Sequence, residues 1–442
     1  SSDVCSSDLF WLIWAISGSV AALLGGEFKE TWVQWRGAER DGHYQGRDWP
    51  DSLKPDHLKL GWSKELDSSY SSPIVDLTTV YTTESIGGNL EQVNAYDRGN
   101  GELRWSTSWG GGMKVPFFAN SNGSWIRSTP ILNDGFLYVM GMQERLVCIW
   151  ATDGQISWEL DIPFKLGTPE PSFGGVSSPM IHEGALFVQA GGGMIKVNTK
   201  DGQLIWSSAI SRDAMNQSPF ASPRIYTFGE SQQLVSLGRT ALTGMSPVDG
   251  SILWQQEVPA FRGMNILTPT FADGRILTAT YGGKAHLFSP SMGEDQTWQV
   301  EEKWNQKFQG YMSSPVIVDH YAYLHGRSGR MVCLDIHTGE IKWTSTESLG
   351  KYCSMVTNGE KILVLSSNGQ LRLLAANPSE YEVFDSFRIT KDDTWAHIGL
   401  ADNQVFIRAL DRLSVFEWGE SLSTEKVAST QVGTTSKLVS GF

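Results

Sequence analysis

Leu334–Trp343 reads LDIHTGEIKW, and the chain writes this pattern again and again: AYDRGNGELRW at Ala95–Trp105, CIWATDGQISW at Cys148–Trp158, KVNTKDGQLIW at Lys196–Trp206 and GMSPVDGSILW at Gly244–Trp254. Aligned on their turn glycines (Gly101, Gly154, Gly202, Gly250, Gly339), the copies share a polar residue after the Gly, an apolar one two after it and Trp four after it. Asn-Gly and Asp-Gly are hairpin signals, because Gly takes φ > 0 without steric cost. The alternation after the turn has period two, so the Leu or Ile (Leu103, Ile156, Leu204, Ile252, Ile341) and the Trp are expected to share one buried strand face. One supersecondary unit repeated at this spacing predicts a repeat fold.

A second signal precedes each hairpin. A small residue and a Pro open an apolar stretch: SSPIV at Ser71, STPIL at Ser128, SSPMI at Ser177, ASPRI at Ala221, TPTF at Thr268 and SSPVI at Ser313. A short turn and another β-rich run follow, giving four short strands per unit. Units of about 39 to 53 residues built this way are propeller blades. Two later units are degenerate. Cys353–Ala375 keeps its strands but loses the Trp, and Ala396–Trp418 supplies only three strands. In the unit from Thr268 the turn is disturbed, and either Trp298 or Trp304 takes the docking role. Eight openings in all predict an all-β, eight-bladed propeller over 29–420. Leu58–Leu66 is expected to supply the missing strand beside Leu413–Trp418 and close the ring, which hides the sheet edges.

The composition suits a folded soluble domain. It is 40% hydrophobic and 19% charged, with 18 Trp among 442 residues. The formal net charge of −13, without a long basic run, argues against nucleic acid as a partner. No CxxC joins any of Cys5, Cys148, Cys333 and Cys353. Cys148 and Cys333 fill the small-residue slot that Ala95 and Gly244 fill elsewhere, so they read as core residues. Phe10–Leu24 has the length of a signal-peptide core (10–26). Residues 1–9, which look like translated adapter, make up the rest of a 1–28 leader. No Cys follows that run closely, so a lipoprotein lipobox is not expected. The chain reads as secreted or periplasmic and bacterial, with no membrane span after leader removal. The polar stretch 421–442 lacks the repeat and is expected to be disordered.

At these residues the chain resembles the pyrroloquinoline-quinone-type (quinoprotein alcohol dehydrogenase-like) propellers, whose repeat is Ala-x-Asp-x-x-Thr-Gly-x-x-x-Trp. Cys333, Asp335, Thr338, Gly339 and Trp343 match it with one substitution; Ala95, Asp97, Gly101 and Trp105 match nearly as well. WVQWRGAERDG (Trp32–Gly42) also looks like the start of secreted members. The resemblance implies docking of Trp62, Trp105, Trp158, Trp206, Trp254 and Trp343 between neighbouring blades. It also holds out two functional classes. One is a quinone-dependent dehydrogenase, which would bring an adjacent Cys pair, a calcium held by acidic and amide ligands, and an Asp base. The other is a cofactor-free propeller scaffold, as in outer-membrane β-barrel assembly. No vicinal Cys pair exists, and the Asp and Asn residues sit mostly in turns. No catalytic, cofactor-binding or metal-binding residue is transferable, and no cofactor is expected.

The eight His are dispersed, without HExxH or paired metal spacing. Function is expected instead on the face that carries the long interblade links, Ser106–Arg127 and Glu159–Val176. The residues just before each small–Pro step should line the funnel mouth: Tyr70, Trp125, Arg127, Phe220, Tyr311, Tyr352 and Trp395. Aromatics with Arg suit a binding hot spot for a protein or an envelope glycan. The expected function is a non-catalytic binding scaffold, with a quinone enzyme or a carbohydrate-binding module as alternatives.

Overall fold

The computed structural model describes residues 31–213 and 219–420. The proposed leader, the tail 421–442 and the link 214–218 lie outside the described residues. Eight four-stranded antiparallel sheets follow one another along the chain. Blade 1 comprises Ile74–Val75, Thr79–Ile86, Leu90–Asp97 and Leu103–Gly110, running from the axis outward. Blades 2 to 7 repeat this order over 131–161, 180–208, 224–257, 270–306, 316–344 and 353–388. Blade 8 takes three strands from 399–418 and its outermost strand, Leu58–Glu65, from the other end of the chain. Leu58 pairs with Trp418 and Glu65 with Arg412, so the ring closes by a strand pair, as the missing strand predicted. Closure leaves the innermost and outermost strands of blade 8 joined through one sheet and removes the free edge that an open array would keep.

The repeat motif has a mechanical explanation. The indole Nε1 of Trp105 donates to the carbonyl of Ala151 at 3.0 Å, in the outer turn of blade 2. Trp158 does the same to Thr199 (3.0 Å), Trp206 to Val248 (3.0 Å), Trp343 to Asn377 (2.8 Å), and Trp62 to Arg98 (2.9 Å), across the closure. The indole lies flat against the next turn's glycine. A Cβ on Gly154 would stand 2.6 Å from Trp105, and one on Gly202 2.6 Å from Trp158. The Gly thus serves both the positive φ of the turn and the close approach of the neighbouring blade. The motif Asp shapes the same turn: Asp335 Oδ1 accepts from His337 N at 2.8 Å and Thr338 N at 3.1 Å.

Three expectations need correction. The docking Trp residues are half-buried, with one ring face covered and the outer edge wet; Trp254, at 5% exposure, is the exception among those named. Trp254 also does not dock forward. Its Nε1 donates to Gln233 Oε1 at 2.6 Å in its own blade, and its ring fills the slot over Gly244, where a Cβ would come within 2.2 Å. The physical reason lies in blade 5, whose outer hairpin is lengthened and offers no turn glycine of the repeat type. There Trp304, facing Leu287 in register, is the docking Trp, donating to Ile336 O at 2.8 Å and covering Gly339. Trp298 packs instead against Phe228 of blade 4. Finally, the Leu and Ile two after each Gly share the half-buried Trp face only in some copies: Leu204 and Ile341 are half-buried and pack on the core, whereas Leu103 is 56% and Ile252 48% exposed. In every blade the outermost pairing slips by one residue beside the docking position, as between Ala95 and Tyr96 opposite Trp105 and Leu103. Such a bulge sets an extra residue against one partner and disturbs the alternation; Leu103 and Ile252 end outward, while Leu204 and Ile341 stay half-buried.

Blade 7 lacks a Trp, and the segment before the closing strand takes over. Asp385 stands at the Trp position and accepts from Ser52 Oγ (2.9 Å) and Leu53 N (2.8 Å). Trp49, Leu53 and Trp418 fill the seam in one buried cluster.

Candidate functional site

The small–Pro openings form a ring around the axis, and it is built from hydroxyls. Thr129 Oγ1 accepts from Ser72 N (3.2 Å), Ser178 Oγ from Thr129 N (3.0 Å) and Ser222 Oγ from Ser178 N (3.0 Å). The chain continues from Ser222 N to Thr268 Oγ1 (3.0 Å) and from Thr268 N to Ser314 Oγ (3.2 Å). Through blade 7, Cys353 N donates to Ser313 Oγ (3.0 Å) and Ser354 Oγ accepts from Ile398 N (2.9 Å); His397 N then reaches Ser72 Oγ at 2.8 Å. Near the axis the innermost strands converge, and a small hydroxyl residue is what satisfies the neighbour's N–H in that space.

Below this ring, 32–44 crosses the channel. Trp32 exchanges both backbone hydrogen bonds with Val75 of blade 1, and Val33 O accepts from Leu132 N of blade 2. Arg40 donates to the carbonyls of Ser178 (3.0 Å) and Pro179 (2.8 Å) of blade 3. Arg36 donates to Pro315 O (2.5 Å) of blade 6, and Tyr44 N to Thr357 O (2.7 Å) of blade 7. Asp41 reaches Arg224 of blade 4 at 3.5 Å. Both Arg36 and Arg40 are buried and face the Trp35 ring at 5.5 and 5.3 Å. Burial pushes the Arg36 guanidinium down to about 10 and that of Arg40 to about 9. The stretch resembling the start of secreted members is thus a plug, and sequence reasoning missed its two buried cations.

Above the ring a cup of about 380 Å³ opens toward the long links. Two residues before each ring position (a Ser or Thr in seven blades and His397 in blade 8), the eight blades contribute in turn Tyr70, Arg127, Val176, Phe220, Ile266, Met312, Tyr352 and Trp395, all lining it. One of the eight is charged. Of the seven residues expected at the mouth, Tyr70, Arg127, Phe220, Tyr311, Tyr352 and Trp395 line the cup. Trp125 stands behind, with its ring 5.2 Å from Tyr70. Trp395 is stacked between Tyr70 (5.3 Å) and Tyr352 (5.8 Å). The aliphatic ring members carried no signal of chemistry. The links add Phe118, Phe173 and Arg262, and the middle hairpin of blade 4 adds Arg239, whose guanidinium lies 4.6 Å over Phe220. These four were beyond sequence reasoning because loop length shows where a loop starts and not where it folds back.

Arg127 donates to the carbonyls of Gly123 (2.5 Å), Asn122 (3.4 Å) and Trp125 (3.4 Å), which ties the 3₁₀ turn Phe117–Asn122 to the wall. Burial lowers its pKa to about 10. At the floor, Trp35 meets His397 edge-on at 5.3 Å, and burial, with Arg36 nearby, pushes the His397 imidazole down to about 3. It is therefore neutral across the working pH range. Among the described residues no Asp, Glu or Cys lines the cup. Asp213 acts on Arg239, and Asp393 acts on Tyr70. Among the described residues no group of three or more His, Cys, Asp or Glu could hold a metal ion. The acidic ligands, Cys pair and Asp base of a calcium-anchored quinone site are not in this lining, so the residues present do not fit that group.

The rim is apolar. Phe117 is 84%, Phe118 56%, Phe164 88% and Phe261 51% exposed, all on links of this face. Phe164 belongs to the short helix Ile162–Leu166, which Asp161 caps by accepting from Phe164 N at 3.0 Å.

Comparison with known proteins matches residues 89–345 to the family described as "Outer membrane protein assembly factor BamB". The chain is 20% identical to BamB of Yersinia pestis over 303 residues, 65% of this chain and 70% of the relative. It is 20% identical to BamB of Moranella endobia (strain PCIT) over 312 residues, 68% of this chain and 73% of the relative. Among solved structures, BamB from Moraxella catarrhalis superposes with a TM-score of 0.61 at 15% identity, covering 82% of this chain and 98% of that one. Quinohemoprotein alcohol dehydrogenase from Comamonas testosteroni superposes with a TM-score of 0.62 at 12% identity, covering 94% and 83%. At such identities the structural likeness speaks for the fold alone.

Proposed function

Because the chain belongs to the family of the outer membrane protein assembly factor BamB, we propose that it is a non-catalytic, cofactor-free scaffold that docks another protein on its cup face, in the periplasm. The observation that carries this is the rim: four largely exposed Phe side chains stand on the interblade links of the face where the cup opens, and the hydroxyl ring and the plug brace that cup from below. Apolar groups gathered on one face of a rigid frame are the anchors a protein interface uses. The names of the relatives, outer membrane assembly factors, support a protein partner. The cup's lack of carboxylates and Cys supports the absence of quinone chemistry.

The test compares the unaltered protein with a Phe117→Asp/Phe164→Asp variant as bait in an envelope extract, before and after enzymatic digestion of glycans. Both side chains are exposed, so the variant should melt at an unchanged temperature. Loss of the captured proteins in the variant, with digestion making no difference, is the expected result. Equal capture by both baits overturns the docking face, and capture abolished by digestion points to an envelope glycan instead. Saturable quinone binding in the presence of calcium overturns the cofactor-free part.

A further inference from the structure

We infer that the cup captures the free C-terminal carboxylate of a partner chain, with the last side chain seated against the aromatic wall and Arg127 as the anion's anchor. This rests on the docking face proposed above and names what enters it. Four features of the site carry it.

The first is charge. Among the described residues the cup is lined by Arg127, Arg239, on which Asp213 acts, and Arg262, and by no Asp or Glu, in a protein of formal net charge −13. Arg127 donates to the backbone carbonyls of Trp125, Asn122 and Gly123, which orient the guanidinium without neutralising it. Arg36 and Arg40, buried in the plug under the floor, also bond mainly to carbonyls and add positive potential from below. A cation held among low-dielectric walls attracts an anion far more strongly than one in water.

The second is the closed end. The segment 32–44 bonds to seven blades across the channel, so whatever enters the cup must leave by the same mouth. A chain end needs one lane through that mouth, whereas an internal segment needs two. The third is composition. Seven of the eight wall positions are uncharged and apolar or aromatic, and the eighth is Arg127. One fixed cation beside an apolar wall matches one carboxylate beside one apolar side chain, and capture of a terminal carboxylate is a known way of reading a peptide. The fourth is size: about 380 Å³ lies at the lower end of the range of ligand sites, fit for one or two residues.

The probes are N-acetylated tetrapeptides ending in Tyr-Phe, made as free acid and as amide, and a third with an internal Glu-Phe pair and an amidated end. Binding is measured by calorimetry on the unaltered protein. The free acid should bind at least about tenfold more tightly than the amide, and the gap should narrow as salt rises. The preference should vanish in Arg127→Gln. Because Arg127 also holds loop carbonyls, the acid–amide comparison on the unaltered protein carries the test by itself. Equal binding of acid and amide, or equal binding of the internal Glu peptide, overturns the proposal. If no peptide binds while the Phe117/Phe164 face still captures its partner, chain-end capture is overturned and the scaffold stands. If both fail, both are overturned.

Discussion

Replacing Gly202 by Ala isolates the contact that repeats around the ring. Gly202 sits at φ +70°, and the new Cβ would stand 2.6 Å from the Trp158 ring of the preceding blade. Two penalties therefore add. A left-handed backbone carrying a Cβ costs about 1–2 kcal/mol. Forcing a carbon into a filled contact costs about 1–3 kcal/mol more. The sum is about 2–5 kcal/mol, a large share of an ordinary stability. Gly184 supplies the control: its φ is +72°, and a Cβ there meets nothing within 4 Å, so Gly184→Ala should cost the backbone term alone. A double-mutant cycle separates the terms. With Trp158→Ala in place the steric clash is gone, and Gly202→Ala should fall to about 1–2 kcal/mol. Urea unfolding followed by Trp fluorescence and far-ultraviolet dichroism reads the unaltered protein and the four variants. If Gly202→Ala costs no more than Gly184→Ala, or if its cost is unchanged by removing Trp158, the docking account is wrong.

Two further outcomes follow from buried groups and from the closure. Glu144 is buried at 1% exposure and accepts from Gly191 N of the next blade at 2.8 Å; burial raises its pKa from 4.5 to about 7. The folded state therefore holds a proton that the unfolded state has lost between pH 4.5 and about 7, so this group's contribution is full below that window and is lost as pH rises through it, by about 3 kcal/mol at most. Glu144→Gln keeps an acceptor for Gly191 and should flatten this part of the melting profile; an unchanged slope between pH 4.5 and 8 refutes the assignment. Removing residues 31–65 exposes the strand Arg412–Trp418 and should produce oligomers on light scattering, whereas a monomer of unchanged stability would contradict the closure.

The blade count, the turn glycines and the closing strand were legible in the sequence because each is local chemistry. An Asp-Gly turn, a small–Pro step and a Trp at fixed spacing recur whatever lies beyond their own hairpin. The list of wall residues was partly legible for the same reason, since Tyr70, Phe220, Tyr352 and Trp395 sit at a fixed offset from a local motif. Local pattern also misled where a bulge intervened, as at Leu103, because one extra residue in a ladder reverses the side-chain alternation. What Trp254 does, and that Trp304 rather than Trp298 docks, depended on a neighbouring blade. The plug and the closed floor of the cup were decided entirely by tertiary structure. Arg36 and Arg40 lie four residues apart in an irregular segment, and nothing local predicts that they bond to blades 6 and 3 across the axis. Contacts between residues distant in sequence arise when the ring closes, and only the closed ring has an axis, a plug and a floor.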